Sequence, residues 1–242
     1  MERLNKFLAN SCVCSRRKAD EHILAGDVKV NGVMGSELGV KINPEKDVVE
    51  FDGKIVKPMS EFVYYVLNKP KHIVSTAQAQ NGEKTVLDFV PKSPRVYPVG
   101  RLDKDTVGLI ILTNDGELTK ELTHPSFEHQ KEYLVECRIL NPKSWRERDI
   151  VSSVKQKLTS GLKIDGKVMK VDRVKTAEIQ NSKFIILTLV LHTGYNRQVR
   201  KMCAKIGLEV KRLTRIGISK LHLDELQLKP GEFKKISKED VF

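Results

Sequence analysis

Val99-Gly100-Arg101-Leu102-Asp103-Lys104-Asp105-Thr106-Val107-Gly108-Leu109-Ile110-Ile111-Leu112 is the stretch on which the fold turns. Two glycines, three alternating charges and a threonine lead into four consecutive apolar residues, a buried strand entered from a polar loop. A loop held at a strand edge in this way can project a carboxylate into a cleft. Charge alternation by itself more often marks a solvated turn. Asp103 and Asp105 could also suggest the carboxylate pair of a glycosidase. Acids two apart face together on a strand and diverge on a tight loop, so spacing leaves that open. No run of tryptophans supports sugar binding, since Trp145 is the only one.

Outward from this stretch the pattern is mixed. Phe62 to Leu67, Leu109 to Leu112, Tyr133 to Ile139 and Phe184 to Leu191 read as strands, and Gln198 to Ile206 reads as a helix stopped at Gly207. Residues 63–242 therefore form one α+β domain. Residues 1–57 look like a separate small unit, joined by a linker over 58–62 that Lys57-Pro58-Met59-Ser60 punctuates. Leu4, Phe7 and Leu8 recur at helical spacing, and Ser15 is the predicted N-cap of a helix running to Gly26. Val28-Lys29-Val30 then alternates like a strand before the turn signal Asn31-Gly32. Val48 to Phe51 and Lys54 to Val56 flank Asp52-Gly53 as a second hairpin.

The 242 residues are 40% hydrophobic and 31% charged, enough apolar material for a core and too much for a disordered chain. No apolar run approaches the roughly 18 residues of a membrane span. The N-terminus lacks a secretory apolar core, so the expected location is cytoplasmic, with no membrane partner. Cys12, Cys14, Cys137 and Cys203 are expected to be reduced, and their spacing implies no metal site.

The formal charge is +12, which favours polyanionic partners through counterion release. Tyr195 to Lys238 concentrates it, with twelve Lys/Arg against four Asp/Glu. Arg16, Arg17 and Lys18 occupy the first turn of the predicted second helix. There they oppose the helix dipole at about 0.3–1 kcal/mol per exposed charge. Nearby phosphates would turn that cost into a gain, because the free N–H groups attract the same anions.

Two resemblances are carried by ordered motifs. Arg3-Leu4-Asn5-Lys6-Phe7-Leu8, Ser15-Arg16-Arg17-Lys18-Ala19-Asp20 and Gly26-Asp27-Val28-Lys29-Val30-Asn31-Gly32 together resemble an S4 RNA-binding domain. The resemblance implies RNA contacts from Arg3, Lys6, Arg16, Arg17 and Lys18. Gly100-Arg101-Leu102-Asp103 with Thr106 and Gly108-Leu109 resembles the signature of pseudouridine synthases. The wider pattern is similar to the RsuA/RluB/RluF group of ribosomal RNA uridine isomerases. It includes Leu67-Asn68-Lys69-Pro70, Thr113-Asn114-Asp115-Gly116-Glu117-Leu118, Lys131-Glu132-Tyr133-Leu134-Val135, Gly194 with Asn196-Arg197-Gln198-Val199-Arg200-Lys201-Met202, Leu213 and Arg215-Ile216-Gly217. Several ordered motifs are far more specific than any one.

This resemblance implies an α+β catalytic domain with a mixed, mainly antiparallel sheet and a central cleft. It implies a reaction in which uridine is flipped out, its C1′–N1 bond broken and a C1′–C5 bond made. Asp103 would be the catalytic carboxylate, with Arg200 as its bidentate guanidinium partner and Tyr133 stacking on uracil and implicated in removing the C5 proton. Arg101, Leu213, Lys69 and Asn196 would contact substrate. Attack at C1′, addition at C6 and abstraction of the 2′ proton all remain open as first steps, and none calls for a metal or organic cofactor. The expected partner of a monomeric enzyme is ribosomal RNA, 23S ahead of 16S. His72, Thr193 and Tyr195 depart from the group's commoner residues, which bears on loop shape and target choice. The rival reading is a non-catalytic RNA-binding ribosome-assembly factor, for which the basic N-terminal block and C-terminal stretch would suffice.

Overall fold

The computed structural model describes residues 1–35, 37–59, 61–79, 82–141, 150–180 and 183–242; Ser60 of the expected linker and Trp145 lie outside the described residues. The chain divides into two units. One comprises Met1–Val63 with Lys92–Val96 and Thr113–Gly116, the other Tyr64–Pro91, Tyr97–Leu112 and Glu117–Phe242.

The first unit runs β1 (Glu2–Arg3), α1 (Leu4–Asn10), α2 (Arg16–Ala25), β2 (Val28–Val30), β3 (Val33–Met34), β4 (Lys41–Ile42), β5 (Val49–Phe51) and β6 (Lys54–Ile55). Ser15 caps α2 by accepting the Lys18 N–H at 3.3 Å, and the helix ends at Gly26 as the pattern predicts. Leu4, Phe7 and Leu8 of α1 pack on Ala19 and Ile23 of α2 and on Val28, Ile42 and Val49. Strands β3-β2-β5-β6 form one sheet, with both turn signals at hairpins. The short β1–β4 ladder had no periodic signal, because two-residue strands are too brief to show one. Arg3, Arg16, Arg17 and Lys18 are exposed and Lys6 is half-buried.

The second unit continues with β7 (Tyr64–Lys69), β8 (Tyr97–Pro98), β9 (Val107–Thr113), α3 (Gly116–Thr123), β10 (Lys131–Ile139), α4 (Ile150–Ser160), β11 (Leu162–Ile164), β12 (Lys167–Met169), β13 (Arg173–Ile179), β14 (Phe184–Leu191), α5 (Gln198–Lys205), β15 (Leu208–Ile218), β16 (Leu221–His222), α6 (Leu223–Leu226) and β17 (Phe233–Ile236). Its main sheet has the order β13-β14-β10-β15-β9-β7-β17, with β16 on β15 and β8 on β9. The β13–β14–β10–β15 pairings and β7–β17 are antiparallel, whereas β15 and β9 run parallel. The architecture is thus α+β with a mixed, mainly antiparallel sheet. The expected strand at Phe62 starts later, at Tyr64. Val63 spends its N–H on Asn114 Oδ1 (2.8 Å) and its carbonyl on Thr113 Oγ1 (2.7 Å) instead of on a ladder.

Apolar side chains of β10 and β14 meet α4 and α5 in one core, including Val135, Cys137, Leu187, Leu189, Val154, Leu158, Val199 and Met202. Leu109 and Ile111 of β9 meet Leu118, Leu122, Ile218 and Leu221 in another. All four cysteines are free. Among the described residues, no helix is long and apolar enough to cross a membrane.

Candidate active site

Strand register brings the first two site residues together. Val135 of β10 lies opposite Leu213 of β15, and Tyr133 is two residues along from Val135. Alternation puts Tyr133, Val135 and Leu213 on one face of the sheet. Register shifts between Glu132 and Tyr133 and between Glu136 and Cys137 bracket this segment, marking bulges that re-aim side chains. Leu213 is buried and Tyr133 half-buried.

The polar loop is delivered beside them by the parallel pair. Val107 aligns with Thr214 and Gly108 with Arg215, so the residues before Val107 arrive next to Leu213. Gly108 has φ of +101°, and a Cβ there would lie 2.2 Å from the Arg215 carbonyl oxygen. Only glycine permits this approach. Arg215, itself buried, donates through Nε to the Leu109 carbonyl at 2.7 Å.

Several groups fix the loop itself. Buried Ser75 accepts the Leu102 N–H at 3.2 Å and donates to the Leu102 carbonyl at 3.0 Å. The His72 N–H donates to the Lys104 carbonyl at 2.8 Å, and the Thr106 N–H to the Asp103 carbonyl at 3.0 Å. Arg200 donates to the carbonyls of Asp105 and Val210, each at 3.4 Å. Lys69 donates from Nζ to the Pro70 carbonyl at 3.1 Å and the Lys104 carbonyl at 3.3 Å. Burial pulls the Lys69 ammonium down to about 8, against the opposing pull of the Asp105 and Asp103 carboxylates.

The third wall is the segment leading into α5. Gln198, buried, accepts the Tyr195 N–H at 3.1 Å and the Thr193 hydroxyl at 3.1 Å, and donates to the Lys170 carbonyl at 3.2 Å. Arg197, at the N-cap of α5 with φ of 52°, reaches 3.8 Å from Asp103 Oδ2.

These elements enclose a cleft of about 300 Å3, lined by Asp103, Arg101, Tyr133, Leu213, Asn196 and Arg197 among others. Its volume is at the small end of ligand pockets, about 300–1,000 Å3. Five of the seven expected catalytic and substrate-contacting residues thus share one cavity. The other two differ from expectation. Arg200 is not the cation paired with Asp103: Arg197 holds that place, and Arg200 binds main-chain carbonyls of the loop and of β15. Lys69 does not line the cleft, because it is fully buried and its ammonium is committed to the loop backbone. Arg197 lies in the stretch Asn196-Arg197-Gln198-Val199-Arg200, where the sequence alone does not tell which of the two arginines meets the carboxylate. Ser75 carried no sequence signal, since a lone serine after a strand is common.

Comparison with known proteins decides the lineage. Residues 63–205 match the family described as RNA pseudouridylate synthase. The chain belongs to that family. It is 40% identical to the ribosomal large subunit pseudouridine synthase B of Bacillus subtilis, over 98% of this chain and 96% of the relative. It is 37% identical to the dual-specificity RNA pseudouridine synthase RluF of Escherichia coli, over 99% of this chain and 77% of that one. Among solved structures, a pseudouridylate synthase crystal structure matches with TM-score 0.63 and 28% identity, covering 100% of this chain and 98% of the other. The likeness therefore spans the cleft and the segments that build it, and the chain is an RNA isomerase with a mixed α+β catalytic fold.

Proposed function

We propose that this enzyme converts a specific uridine of ribosomal RNA to pseudouridine, in large-subunit (23S) RNA ahead of small-subunit (16S) RNA, in the cytoplasm. The observation that carries the reading is Asp103 on the wall of a cleft that Tyr133 and Leu213 also line, with the Arg197 guanidinium 3.8 Å from its carboxylate. The B. subtilis relative, named for the large subunit, supports the choice of RNA.

Flipping the uridine costs a few kcal/mol, which contacts between a basic surface and phosphates offset. In the cleft, Tyr133 and Leu213 would hold the uracil ring. Asp103, with the Arg197 guanidinium 3.8 Å away, would act at the sugar or at C6. The C1′–N1 bond breaks, the uracil turns and C5 bonds to C1′; C5 then gives up its proton, which Tyr133 would help to remove, and N1 takes one up, so the product is an isomer of the uridine. Arg101, exposed on the cleft wall, would enter the vacated stack or hold a phosphate. Asn196 would contact the substrate. Arg200 and Lys69 act through the loop that carries Asp103, as positioning residues.

The first unit would serve as an S4-type RNA-binding domain over residues 1–57. Arg3, Lys6, Arg16, Arg17 and Lys18 would meet phosphates, and residues 63–242 would form the catalytic domain. C5-tritiated ribosomal transcript should release tritium with the wild-type enzyme and none with Asp103→Asn. Release that survives this substitution would remove Asp103 from the chemistry.

A further inference from the structure

Tyr195 is a large aromatic side chain at the cleft for which the reaction just described has no use. It lines the cleft with Asp103, Tyr133 and Arg197, yet 39% of its surface is exposed. Its backbone is pinned, since its N–H donates to the buried Gln198 side chain at 3.1 Å. Lys167 holds its ammonium over one face of the ring, 5.1 Å from the centroid. A tyrosine placed for core packing buries its ring, whereas this ring is held at the border of a cavity with one face backed by a cation. A fixed aromatic face beside basic groups is how proteins receive unpaired RNA bases.

We propose that Tyr195 is a stacking platform for an unpaired RNA base neighbouring the uridine that enters the cleft, with Lys167 backing the ring. The proposal rests on the RNA-isomerase reading. Extracting one nucleotide leaves its neighbour without a stacking partner, and a ring at the cleft border replaces that partner outside the helix. Lys167 covers one face, so the site takes a single base on the other. Its ammonium adds charge for an adjoining phosphate. Stacking tolerates any base, so the contact recognises an unpaired position more than a letter, and helps to set which loop uridine is chosen.

The test is a double-mutant cycle between the ring and a base. A ribosomal RNA stem-loop that the wild-type protein protects in footprinting is prepared intact and with an abasic site at each unpaired position in turn. Dissociation constants are measured for wild type, Tyr195→Ala and Tyr195→Phe. On intact RNA the alanine variant should bind about 5- to 100-fold more weakly, while phenylalanine retains affinity. At one abasic position the difference between alanine variant and wild type should vanish. An alanine variant that binds intact RNA like wild type overturns the proposal. So does one that is weakened by the same factor on every RNA, which marks a structural role. The isomerase reading fails by a different result, namely wild-type protein that binds the stem-loop and leaves every uridine of ribosomal RNA unconverted.

Discussion

Replacing Gly108 with alanine tests whether Asp103 owes its position to the closeness of β9 and β15. A Cβ on Gly108 would lie 2.2 Å from the Arg215 oxygen, 2.8 Å from its nitrogen and 2.9 Å from its carbonyl carbon. All are backbone atoms, so no side-chain rotation relieves the clash. Ordinary contact is 3.4–4 Å, and the strands must part by more than an ångström. The positive φ costs about 1–2 kcal/mol in addition. Parting the strands weakens the Val107–Thr214 and Gly108–Arg215 pairing, at about 1 kcal/mol net per hydrogen bond. It also strains the buried bond from Arg215 Nε to the Leu109 carbonyl, worth about 1–3 kcal/mol if left unmade. The expected loss is about 4–7 kcal/mol, a large share of the roughly 5–15 kcal/mol that holds a protein folded. Gly207→Ala is the control, because Gly207 has φ of +83° and no atom within 4 Å of the place a methyl would take. It should cost only about 1–2 kcal/mol. Urea unfolding of both variants, read beside tritium release, separates strain from steric closeness. A Gly108→Ala protein as stable and active as Gly207→Ala would refute the account.

Three further outcomes are expected. Arg200→Lys should lose about 10- to 100-fold in kcat, because one ammonium cannot span the Asp105 and Val210 carbonyls as a planar guanidinium does; turnover near wild type would free the loop from Arg200. Lys69→Met should remove a pH dependence. Below about pH 8 folded and unfolded chains both carry the ammonium. Between there and about 10.4 only the unfolded chain keeps its proton, so wild-type stability rises with pH by up to about 3 kcal/mol. Urea midpoints at pH 7 and 10 that shift equally in both proteins would contradict this. Arg16→Ala with Arg17→Ala should weaken ribosomal RNA binding and flatten the plot of log affinity against log salt by about 1.4–1.8 in slope; an unchanged slope would place the RNA elsewhere.

Local elements and lineage were legible in the chain. The Ser15 cap, the Asn31-Gly32 turn and the stop at Gly207 follow from side-chain and backbone preferences that act within a few residues. The ordered motifs around Asp103 singled it out, because several matches at fixed order are improbable together. Which cation sits beside Asp103 was decided by the tertiary structure alone. Val107 and Thr214 are far apart in sequence, and their parallel register sets what Asp103 faces. That register puts Gly108 against Arg215. The turn before α5 puts Arg197 beside the carboxylate, leaving Arg200 to the loop carbonyls. Lys69 looks like a substrate contact in a row of letters, and becomes a buried support only when the loop closes over it. Short-range preferences specify each element, but the charge environment of a carboxylate is summed over neighbours in space, and only the folded sheet assembles those neighbours.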